Sequence, residues 1–371
     1  MRRADEIRGN LGRALNLVRG RQATSRRGIA DQLHLSPTTA GEYVEHLIGR
    51  GYIREIGVEK ASLGRPTRSL AACPEAGWFA GVEFNADRVQ AVRLDFAGAV
   101  TGATLRPLAE PITARAVLTQ VARAIDRVAR GAVGPLLALG VGAPGVVDPE
   151  RGLGLDYAFV PDWRDVPVAD RLAERFDAPV VLENNLRAIA YAERWLGGGR
   201  QLQDYVILGP RSGFGIAIVI AGRVHAGSHH AAGEIGRWPF GGAELHDALS
   251  APAVWRRLTG SAALTRIPVD LRRALVAAAA RHPRRLATVA DDYAEVIGRL
   301  HLLLDAEAYF LHGPLTALGT PFCDDITRRV GARIASLGSR PPVIRPSGLG
   351  DDAGAIGAAC HAMERWAPAG E

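Results

Sequence analysis

Two stretches of this chain open in the same way, and that repetition restricts the folds open to it. Phe79-Ala80-Gly81-Val82-Glu83-Phe84 and Val89–Phe96 read as two strands of a hairpin that ends at Ala97-Gly98. Further along, Tyr205–Leu208, the glycine-containing loop 209–215 and Ile216–Ala221 repeat the pattern. After the first hairpin the spacing predicts a helix over Ala114–Arg130 and an apolar strand over Leu136–Val141. A helix over Ala169–Phe176 follows, then the breaker Pro179 and a short strand Val180–Leu182. Strand pairs opening each half, with helices between, predict an α/β protein of two lobes around a cleft.

At 371 residues the chain is too long for one core, which predicts two or three domains. Charge marks one boundary. Residues 1–72 hold 13 basic and seven acidic side chains, whereas the rest hold 32 of each. A basic segment joined to a charge-balanced body is expected where one part meets a polyanion and the other does not. The expected domains are a head over 1–72, a first lobe over 78–190 joined by the C-terminal segment 348–371, and a second lobe over 191–347.

With 47% hydrophobic and 23% charged residues the composition is that of a globular, ordered chain. Cys73, Cys323 and Cys360 are too scattered for a disulfide framework or a cysteine cluster. The charged start (Arg2, Arg3, Asp5, Glu6) and the lack of a long apolar run predict no export signal, no membrane partner and a cytoplasmic location.

The basic segment reads as a winged helix-turn-helix. Ile7, Leu11, Ala14, Leu15 and Val18 recur at helical spacing, Ser25 caps a second helix carrying Ile29 and Leu33, and Ser36-Pro37 opens a third with Ala40, Val44, Leu47 and Ile48 on one face. In that layout Ser36, Thr38, Thr39 and Glu42 stand at the end that enters a major groove. Tyr52–Ile56 and Arg68–Ala71 alternate as strands and flank a basic wing, whose Gly64-Arg65-Pro66 tip suits a minor groove. Arg26, Arg27, Lys60 and Arg68 are the expected phosphate contacts, while the third helix and Arg65 supply selectivity.

Several segments, in order, carry a resemblance: Gly64-Arg65-Pro66, Gly142-Ala143-Pro144-Gly145-Val146-Val147-Asp148, Trp163–Pro167, Glu183-Asn184-Asn185, Ala232-Gly233-Glu234-Ile235-Gly236, Ser250-Ala251-Pro252 and Leu349–Ala359. With them the chain resembles the ROK family of repressors, open reading frames and sugar kinases, from Ile29 to about Met363. The resemblance implies an actin-like, ribonuclease-H-like two-lobed body. The winged head places the chain among the family's transcriptional regulators.

Departures from the family bear on function. Where its kinases have an Asp-x-Gly-x-Thr loop for ATP phosphates, this chain has Glu83-Phe84-Asn85-Ala86-Asp87. Where the resemblance implies a catalytic Asp, it has Asn185, an amide unable to take a proton at neutral pH. The second phosphate hairpin keeps Gly213-Phe214-Gly215 but gains Pro210 and Arg211. These changes argue against an enzyme. The family's zinc set is also missing: Arg237 replaces its His, and Gly241–His246 contains no cysteine, so no metal or cofactor is expected despite His229, His230 and His246.

By position, the implied effector contacts are Asn184, Asn185, Arg187, Glu234, Arg237, His246 and Phe159. The arginines suit an acidic sugar derivative. A neutral sugar, another small molecule, or arginines that salt-bridge Glu234 in an empty cleft stay open. The expectation is a homodimeric or tetrameric repressor that reads an inverted repeat in double-stranded DNA and is controlled by a small carbohydrate-like effector. The alternatives are a DNA-binding dimer without a ligand and a sugar kinase with an accessory head.

Overall fold

The computed structural model describes residues 2–59, 67–85, 87–110, 112–263, 265–335 and 340–368. It divides into two compact units, 1–188 with 354–371, and 189–353. The head is therefore not a separate unit: it is joined to the first lobe and to the C-terminal segment.

The head contains α1 (Arg2–Arg19), α2 (Arg26–Leu33) and α3 (Pro37–Gly49), then the antiparallel wing strands β1 (Ile53–Glu59) and β2 (Thr67–Ala72). Ser25 accepts the Gly28 N–H and Ser36 the Thr39 N–H, each at 3.1 Å, so both expected caps form. Between the last two helices His34 takes a left-handed conformation (φ 55°), which lets the chain turn within three residues. Leu11, Ala14, Leu15, Val18, Ile29, Leu33, Ala40, Val44 and Leu47 form the core of the head.

The first lobe is a five-stranded sheet of order β10-β6-β3-β4-β5. Its strands are β3 (Trp78–Phe84), β4 (Arg88–Asp95), β5 (Val100–Pro107), β6 (Leu136–Ala143) and β10 (Val180–Asn184); β3, β6 and β10 are parallel and β4 and β5 antiparallel to their neighbours. A small sheet of β7 (Val146–Asp148), β8 (Leu153–Asp156) and β9 (Arg164–Pro167) lies between β6 and α5 (Val168–Phe176) in sequence. Alternation along β3 separates the two faces of the main sheet. Trp78, Ala80, Val82 and Phe84 pack with α4 (Ala114–Val128), through Val117, Val121 and Ile125. Phe79, Gly81 and Glu83 face the other way, toward the C-terminal segment.

The second unit repeats the sheet, as the paired hairpins predicted. β13 (Arg223–His225), β12 (Phe214–Ile220), β11 (Tyr205–Pro210), β16 (Ala308–Leu311) and β17 (Val343–Pro346) stand in that order, with β11, β16 and β17 parallel and β12 and β13 antiparallel. The hairpin here is tighter than the loop 209–215 expected: Pro210 pairs with Phe214, leaving only Arg211–Gly213 as the turn. Following the chain, α6 (Asn185–Trp195) precedes this sheet. After β13 come the two-residue strands β14 (Pro239–Phe240) and β15 (Ala243–Glu244), then α7 (Leu245–Leu249), α8 (Ala251–Thr259), α9 (Leu271–Arg281), α10 (Pro283–Leu304) and α11 (Gly319–Ile334). Tyr293 and Ile297 of α10 and Phe322 and Val330 of α11 belong to its core.

The last helix, α12 (Ala353–Arg365), lies directly on the first-lobe sheet. A Cβ at Gly140 would sit 1.8 Å from the Ala358 carbonyl oxygen, and one at Gly81 would sit 2.1 Å from that of Ala355. Helix backbone thus rests on strand backbone, and there is no side-chain layer through which the two could slide.

Arg19, in the last turn of α1, joins the head to this layer. It is 7% exposed, and its guanidinium lies 4.0 Å from the Phe96 ring centroid, 5.1 Å from that of Phe79 and 5.5 Å from that of Trp366. Nε donates to the Phe96 carbonyl at 2.9 Å and Nη1 to that of Met363 at 3.3 Å. Tyr52 of the head stacks on Phe96 at 5.2 Å, and Asn16 donates to the Glu364 carbonyl at 2.9 Å. Burial pulls the Arg19 pKa down to about 9. Aromatic faces and carbonyl oxygens hold the cation.

Two outcomes follow for stability. Gly140→Val should lower the unfolding free energy by about 3 kcal/mol or more in a denaturant titration, since neither backbone can yield. His312, 5% exposed and pushed down to about 3 chiefly by burial, is neutral in the fold but protonates when unfolded. Its contribution is complete above the unfolded value of 6.5 and shrinks as pH falls toward 3. Between pH 7 and 5, the thermal midpoint of His312→Gln should therefore fall less than that of the parent.

Candidate DNA interface and effector site

On the head, Ser36, Thr38 and Glu42 are exposed at the start of α3 and Thr39 is half-buried. Ser36 is occupied with its cap and shares a 2.8 Å hydrogen bond with Thr39 Oγ1, so Thr38 and Glu42 are the freer side chains. Basic residues differ in what they have left to offer. Arg26 is paired with Glu45 at 2.5 Å and Glu55 at 2.7 Å, and Arg68 also pairs with Glu55. Arg68 and then Arg26 hold the Glu55 carboxyl below its ordinary value. Arg27, with 90% of its side chain exposed, is only loosely associated with Asp31 at 3.9 Å. Lys60 and Arg65, with the wing tip, lie outside the described residues.

In the first lobe, parallel pairing of β10 with β6 brings Glu183 opposite Gly142 and Asn184 opposite Ala143. Asn184 Oδ1 accepts the Leu186 N–H at 2.9 Å, and Nδ2 donates to the Gly145 carbonyl at 3.1 Å. It thereby caps α6 and anchors the glycine-rich loop after β6. Arg187 does not reach solvent. It is 2% exposed, and its Nε donates to Glu183 Oε1 at 2.6 Å. Removing one member of such a buried pair costs about 3–5 kcal/mol. Asn185, at the first turn of α6, is half-buried with no side-chain hydrogen bond among the described residues. Phe159 is 56% exposed and its ring lies 5.5 Å from that of Tyr157.

The loop after β3 is closed on itself. Asn85 Oδ1 accepts the N–H groups of Asp87 and Arg88, both at 3.1 Å. Those two backbone donors are satisfied internally. Glu83, 1% exposed, lies against the start of α12, where a Cβ on Gly354 would meet its carboxylate at 2.1 Å. Gly142 is confined by Ala188, Asn185 and the Gly354 carbonyl, so the ends of β3, β6 and β10 and the start of α12 meet at one point.

The second lobe gathers its candidates separately. Glu234 and Arg237 are exposed at the two ends of a single 3-10 turn, Ile235–Arg237. His246 of α7 is half-buried beside Gly236 and Gly213, 3.1 and 3.4 Å from the Cβ positions those residues would have. Its Nδ1 is buried without a hydrogen-bond partner among the described residues. Among those residues no cluster of three or more His, Cys, Asp or Glu is arranged to hold a metal ion, and no helix is long and apolar enough to cross a membrane.

Sequence reasoning missed the Arg19 seam. One signal for it was present: Arg19 falls four residues after Leu15 on the apolar stripe of α1, where an exposed arginine is out of place.

Comparison with known proteins agrees with this architecture. The ROK family profile matches residues 79–249. A xylose repressor of Caldicellulosiruptor bescii is 25% identical over 228 residues, 60% of this chain and 56% of that protein. A glucokinase of Halalkalibacterium halodurans is 29% identical over 172 residues, 45% of this chain and 52% of that protein. The chain thus spans about half the length of the curated relatives it matches. A crystal structure of a ROK family transcriptional regulator, a homologue of the E. coli MLC protein, superimposes with a TM-score of 0.79 over 96% of both chains at 19% identity. Residues 79–249 are thus similar to the ROK family, and the fold is shared with that regulator along nearly its whole length.

Proposed function

We propose that the chain is a DNA-binding transcriptional regulator, acting as a repressor, whose affinity for an operator is set by a small carbohydrate-like effector. The observation that carries this reading is the winged head, with Thr38 and Glu42 exposed on α3, locked through Arg19 onto the ROK lobe. The xylose repressor among the relatives supports it. Arg27 and the wing residues Lys60 and Arg65 supply phosphate and minor-groove contacts, with Arg26 and Arg68 contributing once their carboxylate partners give way. A homodimer or tetramer built on the body reads an inverted repeat.

Phosphoryl transfer is not part of this reading. Asn185 has no proton-accepting capacity, and Asn85 already satisfies two N–H groups of the loop after β3. Pairing of Arg187 with Glu183 removes one of the two arginines that favoured an anion. A neutral sugar fits better: in the first unit Asn185 offers an amide and Phe159 an exposed ring, with Asn184 acting through the α6 cap, and in the second Glu234 offers a carboxylate and His246 an imidazole on the same segment as Arg237.

Contact between the effector and the first lobe has a direct route to DNA. Helix α12 begins at Glu83 and Gly142, beside Asn185, and ends at Met363 and Glu364, whose carbonyls hold Arg19 and Asn16. Because it rests on Gly81 and Gly140 without slack, a shift at its start is passed to the head. An effector acts this way only by binding the two head positions unequally.

The test is a footprint of the chain on its own upstream DNA, repeated with neutral sugars, sugar acids, sugar phosphates and Mg-ATP. Protection of two half-sites, released by a neutral sugar and weakened at least about tenfold by Thr38→Ala with Glu42→Ala, is expected. No protection at low salt would refute the regulator, and release by Mg-ATP alone would restore the kinase reading.

A further inference from the structure

A groove in the first lobe belongs to neither site described above. It has a volume of about 870 Å³ and runs between α4, α5 and the β9 segment. Ala114 and Leu118 of α4 and Pro167 of β9 give it half-buried apolar walls, over the buried Ala122, Val166 and Leu172. Arg115, Arg123, Arg164, Arg171 and Arg175 stand along it.

The charges in this groove are unbalanced. Arg175 is paired with Asp126 at 2.5 Å, but Arg115, Arg123, Arg164 and Arg171 make no side-chain hydrogen bond or ion pair among the described residues. Of the two carboxylates in the lining, Asp162 is occupied in accepting the Ala114 N–H at the start of α4, at 2.8 Å, and Asp165 is exposed. An apolar trough edged by unpaired guanidinium groups is complementary to a segment with apolar anchors and flanking carboxylates. A free phosphate would leave the apolar walls unused.

The position of the groove separates it from the Arg19 seam. Its helix α4 covers the sheet face formed by Ala80, Val82 and Phe84, whereas Arg19 and α12 occupy the opposite face, at Phe79 and Gly81. The seam that ties the head to the body is therefore on the opposite face of the sheet from the groove.

We propose that this groove docks an acidic amphipathic helix of a partner protein. Its apolar side is seated on Ala114, Leu118 and Pro167 and its carboxylates meet Arg115, Arg123, Arg164 and Arg171. Bonds of this kind steer association and set specificity, and they weaken as salt is added.

The probe is a fluorescein-labelled peptide of about 16 residues, with Leu at helical i, i+4, i+7 spacing and Glu elsewhere, titrated with the full chain by anisotropy. Saturable, salt-sensitive binding is expected. Arg164→Glu with Arg171→Glu should weaken it at least about tenfold. Arg127→Glu, on α4 but outside the groove, should leave it unchanged, and both variants should keep the parent's circular dichroism and thermal midpoint. Absence of binding, equal loss in the Arg127 control, or displacement of the peptide by inorganic phosphate or by non-specific duplex DNA would each overturn the proposal.

Discussion

The head of this chain is held by a buried cation. Arg19 packs among Phe79, Phe96 and Trp366 and donates to the carbonyls of Phe96 and Met363. Taking a guanidinium out of water is costly, and the drop in its pKa to about 9 expresses that cost. Aromatic faces and peptide oxygens offset it only when α1, β3, the end of β4 and the end of α12 are all in place together. Such a contact favours one arrangement, because only there do the aromatic faces and the carbonyl oxygens meet the cation together. A head connected only through its chain linkage would be free to sample many orientations; this one is tied to the C-terminal end of α12.

The same economy of space explains the glycines. Gly81 and Gly140 occur in the middle of central strands, where glycine weakens a strand, and both let α12 approach to backbone contact. Gly142 and Gly354 permit further close contacts where β3 and β6 end and α6 and α12 begin. Within the Leu349–Ala359 segment, the run Ala353–Ala359 is thus the sequence of a helix whose small residues face a sheet with no room for larger ones.

Local signals were well legible. Ser25 and Ser36 mark caps that form, Pro37 opens α3, and the alternating runs Phe79–Phe84 and Val89–Phe96 become β3 and β4. The duplicated sheet followed from two similar hairpins. What escaped were β5 and β13, edge strands that are largely exposed and carry Gly102, Pro107 or too few residues for a pattern, together with the short strands β8 and β9. Burial of Arg187 against Glu183 was hidden because an i, i+4 relation across a strand-to-helix junction does not look helical in sequence. The Arg19 seam depends on residues as distant as Tyr52, Phe96 and Trp366, and no local pattern connects them.

The central claim is that the head answers to the body through Arg19 and α12. It is tested most directly by comparing Arg19→Met with the parent for affinity to the proposed operator, with and without a sugar that the footprint shows to act as the proposed effector. Methionine fills the apolar volume without the cation and its hydrogen bonds. The account predicts that Arg19→Met still folds and binds the operator but no longer releases it when the sugar is added, although the sugar still raises its thermal midpoint. Release indistinguishable from the parent's would contradict it.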